Sequence, residues 1–205
     1  NNANGEVAID RSSSIGLWNK AGATTLFANA GKITIGGIAG AGPSGLYNEA
    51  VFQNNGGEIH LDRSNGASIY NLAGSSFVNT GKIAIGQVEL ASGAAVYNFA
   101  DFQNKSTGEI VVDRANSGVF NKPGASFINE GKIAIGRTTA LTGPGIYNVG
   151  SAGMLAYFQN KAGGEITADR VSVGVHNESN STFDNEGLIK IGTTAALGGS
   201  NPGLY

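Results

Sequence analysis

The chain has 205 residues, 33 of them glycine, and 40% of its residues are hydrophobic, which excludes an intrinsically disordered chain. A formal net charge of −2 gives no reason to expect nucleic acid or an anionic membrane as a partner. Cysteine is absent, so disulfides, thiolate chemistry and cysteine-based metal sites are excluded, and no stretch reaches the roughly 18 apolar residues of a membrane span.

A phenylalanine recurs along most of the chain at a fixed interval. Five of the six intervals are 25 residues and the sixth is 31. The residues are Phe27, Phe52, Phe77, Phe102, Phe127, Phe158 and Phe183. Self-similarity at a period of about 20–50 residues indicates a solenoid, in which each repeat packs on its neighbours.

Each repeat predicts three short strands. In residues 69–85, inward and outward residues alternate in three segments that are separated by Gly, Ser and Asn. Glycine interrupts every helical pattern, and a propeller blade needs about 40–45 residues. The sequence therefore predicts an all-β fold, a single-stranded parallel β-helix. We expect about eight coils of ~25 residues, right-handed because the loops vary in length, in one continuous solenoid over residues 1–205.

Two sets of asparagines recur with the coils and predict stacked columns inside the solenoid. A buried amide in such a column bonds the amides above and below it, so these side chains are expected to be structural. The first set follows the phenylalanines: Asn29, Asn54, Asn79, Asn104, Asn129, Asn160 and Asn185. The second set is Asn19, Asn48, Asn71, Asn98, Asn121, Asn148 and Asn177. Asn1 aligns with Gln53, just after a phenylalanine of the series and outside both columns.

Alternate coils differ, so the full repeat is a pair of coils of about 50 residues. One coil ends in Asp-Arg, as at Asp62-Arg63, and the next ends in Ile-Gly and a longer loop. We expect each Asp-Arg pair to fix a turn, with the arginine bridging to a carboxylate in an adjacent coil. An outward position alternates in charge, which disfavours a slip by one coil. Its residues are Glu6, Lys32, Glu58, Lys82, Glu109, Lys132, Glu165 and Leu188.

The residue before each asparagine of the second set is aromatic or histidine and is predicted to point outward. This aromatic stripe consists of Trp18, Tyr47, Tyr70, Tyr97, Phe120, Tyr147 and His176, together with Tyr205, the last residue given, which ends the same Gly-Leu-Tyr phrase that contains Tyr47. It either binds sugar rings or another protein surface, or is stacked on itself and only stabilises the coil. The six-residue excess before Phe158 predicts an insertion loop at 149–157, on a face where solenoids often bind partners.

No cluster in the sequence predicts catalysis or a cofactor. The Asp-Arg pairs recur four times, whereas a catalytic centre needs one unique constellation. Neither His60 nor His176 has a set of nearby ligands that suits zinc. We therefore expect no enzyme activity, no metal and no cofactor. Small outward residues between the isoleucines of each coil, such as Ala84, favour lateral packing instead.

The phrase Asn-x-Gly-x-Ile-x-Ile, present as "NAGKITI", "NTGKIAI" and "NEGKIAI", resembles the β-helical repeats of filamentous haemagglutinin-type adhesins and autotransporter passengers. The resemblance implies secretion, display at the cell surface and adhesion.

Neither end of the sequence shows a polar cap, which a solenoid normally needs. The sequence thus favours a segment or subunit of a long extracellular or cell-surface fibre, associating with itself end to end or laterally. The alternative is a carbohydrate-binding module that uses the aromatic stripe.

Overall fold

The structure is a computed structural model that describes residues 1–22, 25–38, 42–193 and 203–204. Within these ranges the chain forms 22 strands and no helix, so the prediction of an all-β fold is confirmed. Most strands are three or four residues long, because glycine, serine and asparagine turns follow each short alternating segment.

The strands, numbered in chain order, make three sheets. The first sheet contains β1 (Glu6–Ile9), β4 (Lys32–Ile35), β7 (Glu58–Leu61), β10 (Lys82–Ile85), β13 (Glu109–Val112), β16 (Lys132–Ile135), β19 (Glu165–Ala168) and β22 (Leu188–Ile191). The second contains β2 (Leu17–Asn19), β5 (Leu46–Asn48), β8 (Ile69–Asn71), β11 (Ala91–Asn98), β14 (Ala115–Asn121), β17 (Ile146–Asn148) and β20 (Val175–Asn177). The third contains β3 (Leu26–Asn29), β6 (Val51–Asn54), β9 (Ser76–Asn79), β12 (Asp101–Asn104), β15 (Ser126–Asn129), β18 (Ala156–Asn160) and β21 (Ser181–Asn185).

Each strand pairs in parallel with the equivalent strand of the next coil, three strands further along the chain. The chain therefore winds through the three sheets in turn and completes about seven turns at a spacing of about 25 residues, with an eighth strand in the first sheet. The predicted single-stranded parallel β-helix is confirmed.

The phenylalanines form one column inside the solenoid. Phe52, Phe77, Phe102, Phe127 and Phe158 have no exposed surface. Successive rings lie parallel with centroids 4.6–5.1 Å apart. This distance matches the strand spacing, so one in-register ladder sets both the backbone pairing and the ring stacking. Phe27 and Phe183 end the column and are partly exposed.

Both asparagine sets form the predicted columns. In the column of the third sheet, Nδ2 of Asn79 donates to Oδ1 of Asn104 at 2.8 Å, and Nδ2 of Asn104 donates to Oδ1 of Asn129 at 2.8 Å. In the column of the second sheet, Asn98 donates in the same way to Asn121. The second amide proton bonds backbone carbonyls at the bend, such as Gly81 for Asn79. Every amide in the interior of the columns is therefore satisfied although it is buried.

Asn1 joins the column of the third sheet, which corrects its alignment with Gln53. Its Nδ2 donates to Oδ1 of Asn29 at 2.8 Å, and its carbonyl accepts from the backbone N–H of Ala30. The turn between this column and the first sheet is one residue longer after Asn1 (residues 2–5) than after Asn54 (residues 55–57), so an alignment that places Glu6 on Glu58 puts Asn1 one residue away from its position in the column.

The Asp-Arg corners bind backbone groups in both neighbouring coils. The carboxylate of Asp113 accepts from the backbone N–H of Thr138 in the following coil at 3.0 Å. The guanidinium of Arg63 donates to the carbonyls of Gly36 and Gly37 in the preceding coil, at 2.9 and 2.6 Å. Asp10 and Asp62, and Arg114 and Arg170, make the equivalent bonds.

The expected bridge from each arginine to a carboxylate is therefore wrong as a general rule. Among the described residues, Arg63 alone of these arginines lies within 4 Å of a carboxylate, at 3.9 Å from Glu89. The chain turns away at each Gly corner and leaves its carbonyls without ladder partners, so the guanidinium satisfies them instead.

The alternating charges lie opposite one another in register from Glu6 to Glu165. Lys32 and Glu6 approach to 3.8 Å. At the end of the series Leu188 lies opposite Glu165, and Lys190 of the same strand supplies the cation instead, at 2.7 Å. This hydrogen bond and the lysine charge lower the pKa of Glu165. A hydrogen bond from His60 likewise lowers the pKa of Glu58.

Candidate functional site

The aromatic stripe runs along the outer face of the second sheet, one residue per coil. Its neighbours pair in register from Trp18 opposite Tyr47 to Tyr147 opposite His176. Trp18 is 50% exposed and the others up to His176 are partly exposed, because they alternate with inward aliphatic residues such as Ile69. Tyr205 lies outside the described residues.

Stacking along the stripe covers most of the ring faces. From Tyr47 to His176, successive ring centroids lie 4.5–5.6 Å apart, with interplanar angles of 7–37°. These rings therefore present their edges to solvent, whereas a sugar stacks on a face. Trp18 differs, since its plane stands at 86° to Tyr47 with centroids 6.1 Å apart. The ammonium of Lys20 lies over the Trp18 ring, 5.2 Å from its centroid. Trp18 is thus a half-exposed ring that has no aromatic ring stacked parallel to its face and a cation on one side.

Two residues outside the predicted stripe, Phe99 and Lys122, pack against the rings in its middle. Phe99 follows Asn98 directly, and its ring stacks on Tyr70 and Tyr97 at 5.3 and 5.5 Å. The ammonium of Lys122 lies 3.7 Å from the ring centroid of Phe120 and 4.9 Å from that of Tyr97. This is a cation–π arrangement, which stabilises a partly exposed cation. Both residues directly follow an asparagine of the second set, and this was the signal in the sequence that could have identified them. The residue type at this position differs from coil to coil, so no repeat pattern indicated it.

A small acid–base cluster ends the described part of the stripe. The hydroxyl of Tyr147 donates to the carboxylate of Glu178, and Nε2 of His176 lies 3.8 Å from the same carboxylate. Burial, together with this hydrogen bond, raises the pKa of Tyr147 to about 12. The tyrosine therefore stays protonated at neutral pH and holds Glu178 against the stripe.

The insertion at 149–157 forms a tight turn beside the stripe. Ser151 and Met154 exchange two backbone hydrogen bonds, at 2.9 and 3.0 Å, and Gly153 takes a positive φ of 79°. Met154 and Leu155 are 54% and 66% exposed. Met154 lines a shallow groove together with Phe99 and Pro123. The insertion therefore adds apolar surface next to the part of the stripe on which Phe99 packs.

The described residues hold no group of three or more His, Asp or Glu side chains that could bind a metal ion. The same part of the chain contains no helix long and apolar enough to cross a membrane. The chain matches no protein-family model, no curated protein and no solved structure.

Proposed function

We propose that the chain is a structural and adhesive β-solenoid, a segment or subunit of an extracellular or cell-surface fibre. One observation carries the proposal: the same three columns, one of phenylalanine and two of asparagine, run without interruption through about seven turns. Such a core stabilises an extended rod rather than a pocket, and the two-coil alternation gives the rod a regular surface.

End-to-end association is favoured over lateral association. Among the described residues, β1 and β22 are the outermost strands of the first sheet, and the ladder grows along the axis by adding a parallel strand to an outer strand. The row that the sequence suggested for lateral packing is less available. Ala84 and Val111, in the middle of that row, are only 3% and 2% exposed.

Electron microscopy of the purified chain tests this function. We expect filaments whose axial repeat is a multiple of the coil spacing of about 4.8 Å. Analytical ultracentrifugation across a concentration series is the companion measurement. Particles that stay monomeric at every concentration would contradict self-association.

A carbohydrate-binding module is the second candidate, and the exposure of Trp18, at 50% the most exposed ring among the described members of the stripe, favours it. A glycan array tests it with two variants. Trp18→Ala removes the exposed face, and Tyr70→Ala with Tyr97→Ala removes stacked rings that show only their edges. We expect any glycan binding to be lost in the first variant and retained in the second. An array on which the unaltered chain binds no glycan excludes this candidate.

A further inference from the structure

The corner between the second and third sheets alternates in depth along the rod. Its turn is three residues long after Asn48 and Asn98 and five residues long after Asn71 and Asn121. The short turns are set back between the long ones, and the long turns carry exposed glycines such as Gly74, where the space outside is open. Each short turn is therefore the floor of a recess, and the two recesses lie two coils, about 9.6 Å, apart.

Each recess combines one carboxylate with apolar surface. The floor of the first recess carries Glu49 and Val51, and the floor of the second carries Phe99 and Asp101. Within the described ranges, no lysine, arginine or histidine lines either recess, and none lies within 4 Å of the two carboxylates. A long cationic side chain fits such a recess, because its stem packs on the apolar groups while its charged end reaches the carboxylate.

The outer face of the first sheet carries cations at the same spacing. Each coil passes through the three sheets in turn, so this face lies across the axis of the rod from the corner that holds the recesses. Lys82 and Lys132 are exposed on it, two coils apart. In the part of the chain that the structure describes, neither ammonium comes within 4 Å of a carboxylate, whereas that of Lys32 does. The lysines and the recesses belong to one two-coil repeat, so their spacing agrees wherever both occur.

We propose that a second copy of this chain docks beside the first, with its row of lysines in the recesses. The two rods run parallel and are related by a translation across the axis and a shift of two coils along it. Lys82 of one copy then meets Glu49 of the other, and Lys132 meets Asp101. In each pair a cation and a carboxylate that lack an ion pair in the single chain find one between two chains.

The insertion at 149–157 fixes the shift. It follows Asn148, where the alternation of turn lengths would place a third recess, and its nine residues fill that position. In an unshifted pair Lys132 would meet the insertion. After the shift the insertion lies opposite Leu188, which stands where the lysine series would continue. The exposed Leu155 then meets a leucine, and no ammonium is buried against it.

The contact makes ribbons of parallel rods. Because one face of each copy meets the opposite corner of the next, the contact is heterologous and repeats from rod to rod. It uses the long side chains of the lysines, which reach past the nearly buried Ala84 row beside them. It goes beyond the proposed function, since it joins rods that lie side by side, whereas the fibre joins rods at their ends.

Zero-length cross-linking reads out the contact. A carbodiimide joins an amine to a carboxylate only where the two groups touch. In an equal mixture of unlabelled and isotope-labelled chains, we expect peptides of mixed isotope composition that link Lys132 to Asp101 and Lys82 to Glu49. Within one chain these groups lie on opposite sides of the rod, and contact between rod ends would not bring them together.

The outcomes of cross-linking and electron microscopy separate the two proposals. Filaments without either link would overturn the lateral contact and leave the fibre proposal standing. The links without filaments would support the lateral contact and contradict the fibre. Chains that neither assemble nor cross-link would overturn both.

Charge reversal tests the pairing itself. Lys132→Glu places a second carboxylate against Asp101, and we expect it to weaken the lateral association about 10- to 100-fold. The association is read from the chain concentration that gives half the yield of the Lys82–Glu49 link. Asp101→Lys in the same chain restores opposite charges and should recover the association. Arg137→Glu changes the net charge by the same amount at an exposed corner outside the contact, and it should leave the association unchanged. Equal losses for Lys132→Glu and Arg137→Glu, or no recovery in the double variant, would overturn the pairing.

Discussion

The buried asparagines are the residues on which the coil depends most. Each amide donates forward along the column and to a backbone carbonyl at the bend, and accepts from the coil behind it, as Asn104 does between Asn79 and Asn129. Leucine would fill the space but leave the bend carbonyls and two neighbouring amides unsatisfied. The side chain therefore fixes both the bend and the stacking of one coil on the next.

Asn104→Ala is expected to lower the free energy of unfolding by about 2–4 kcal/mol. It leaves the amide donor of Asn79 and the amide acceptor of Asn129 without a partner in the buried interior. Urea denaturation followed by circular dichroism measures this loss. Asn185→Ala is the matched control, since Asn185 is exposed and has a column neighbour on one side only among the described residues. A loss for Asn104→Ala no larger than for the control would contradict the structural role.

At the scale of single residues, the alternation within each repeat predicted which side chains point inward. It did not predict the contacts of side chains that lie just beyond the end of a strand. The phenylalanine and asparagine columns follow from period-2 alternation within each strand. Phe99 and Lys122 follow the last residue of a strand, where the direction of a side chain depends on the turn. Their contacts with Tyr97 therefore needed the structure.

Among the elements, the strands of the first sheet carry a charge pattern that makes stability depend on pH. The pKa of Glu165 is lowered by its hydrogen bond with Lys190, so the folded chain binds that proton less tightly than the unfolded chain. The stabilisation is present above about pH 4.5, the ordinary pKa of a glutamate, and is lost as the pH falls through the lowered value.

Lys190→Gln is expected to return the pKa of Glu165 toward its ordinary value and so to remove most of the acid-dependent loss of stability that this residue contributes. An NMR titration of the glutamate side chains measures the shift. Glu58 serves as the internal control, because its pKa is lowered first by His60, and it should titrate unchanged. A Glu165 titration that does not move would show that the ion pair is absent in solution.

The Asp-Arg and glycine corners show which features of a turn the sequence predicts and which it does not. The alternation of Asp-Arg and glycine corners was visible as a pattern, and it predicted turns of two kinds. The partners of the arginine were not predictable, because they are backbone carbonyls, which every residue has. A pattern of charges suggests a carboxylate partner, whereas the geometry of the turn selects the carbonyl.

For the whole molecule, the pair of coils is the unit that can be removed. Deleting residues 58–81 joins Gly57 to Lys82, so that Lys32 faces Lys82 and one glycine corner packs on another. Deleting residues 58–108 joins Gly57 to Glu109 and keeps opposite charges and corner types in contact. We expect the shorter of the two resulting chains to be the more stable, because like charges and unmatched corners cost more than the lost coil contributes.

Thermal unfolding of both deletion variants tests this order. A solenoid indifferent to alternation would instead lose stability with each coil removed, and the chain that lacks residues 58–81 would then melt at the higher temperature.

The direction of the hydrogen bonds has a mechanical consequence. The backbone ladders and both asparagine columns run along the axis of the rod, and so do the forces that a fibre bears when its ends are pulled apart. Tension therefore loads the bonds between one coil and the next, and the rod yields by peeling from an end. Each coil of about 25 residues releases roughly 85 Å of chain as it comes away. Such a rod extends in many small steps under load and dissipates work at each one, whereas a rigid strut breaks once.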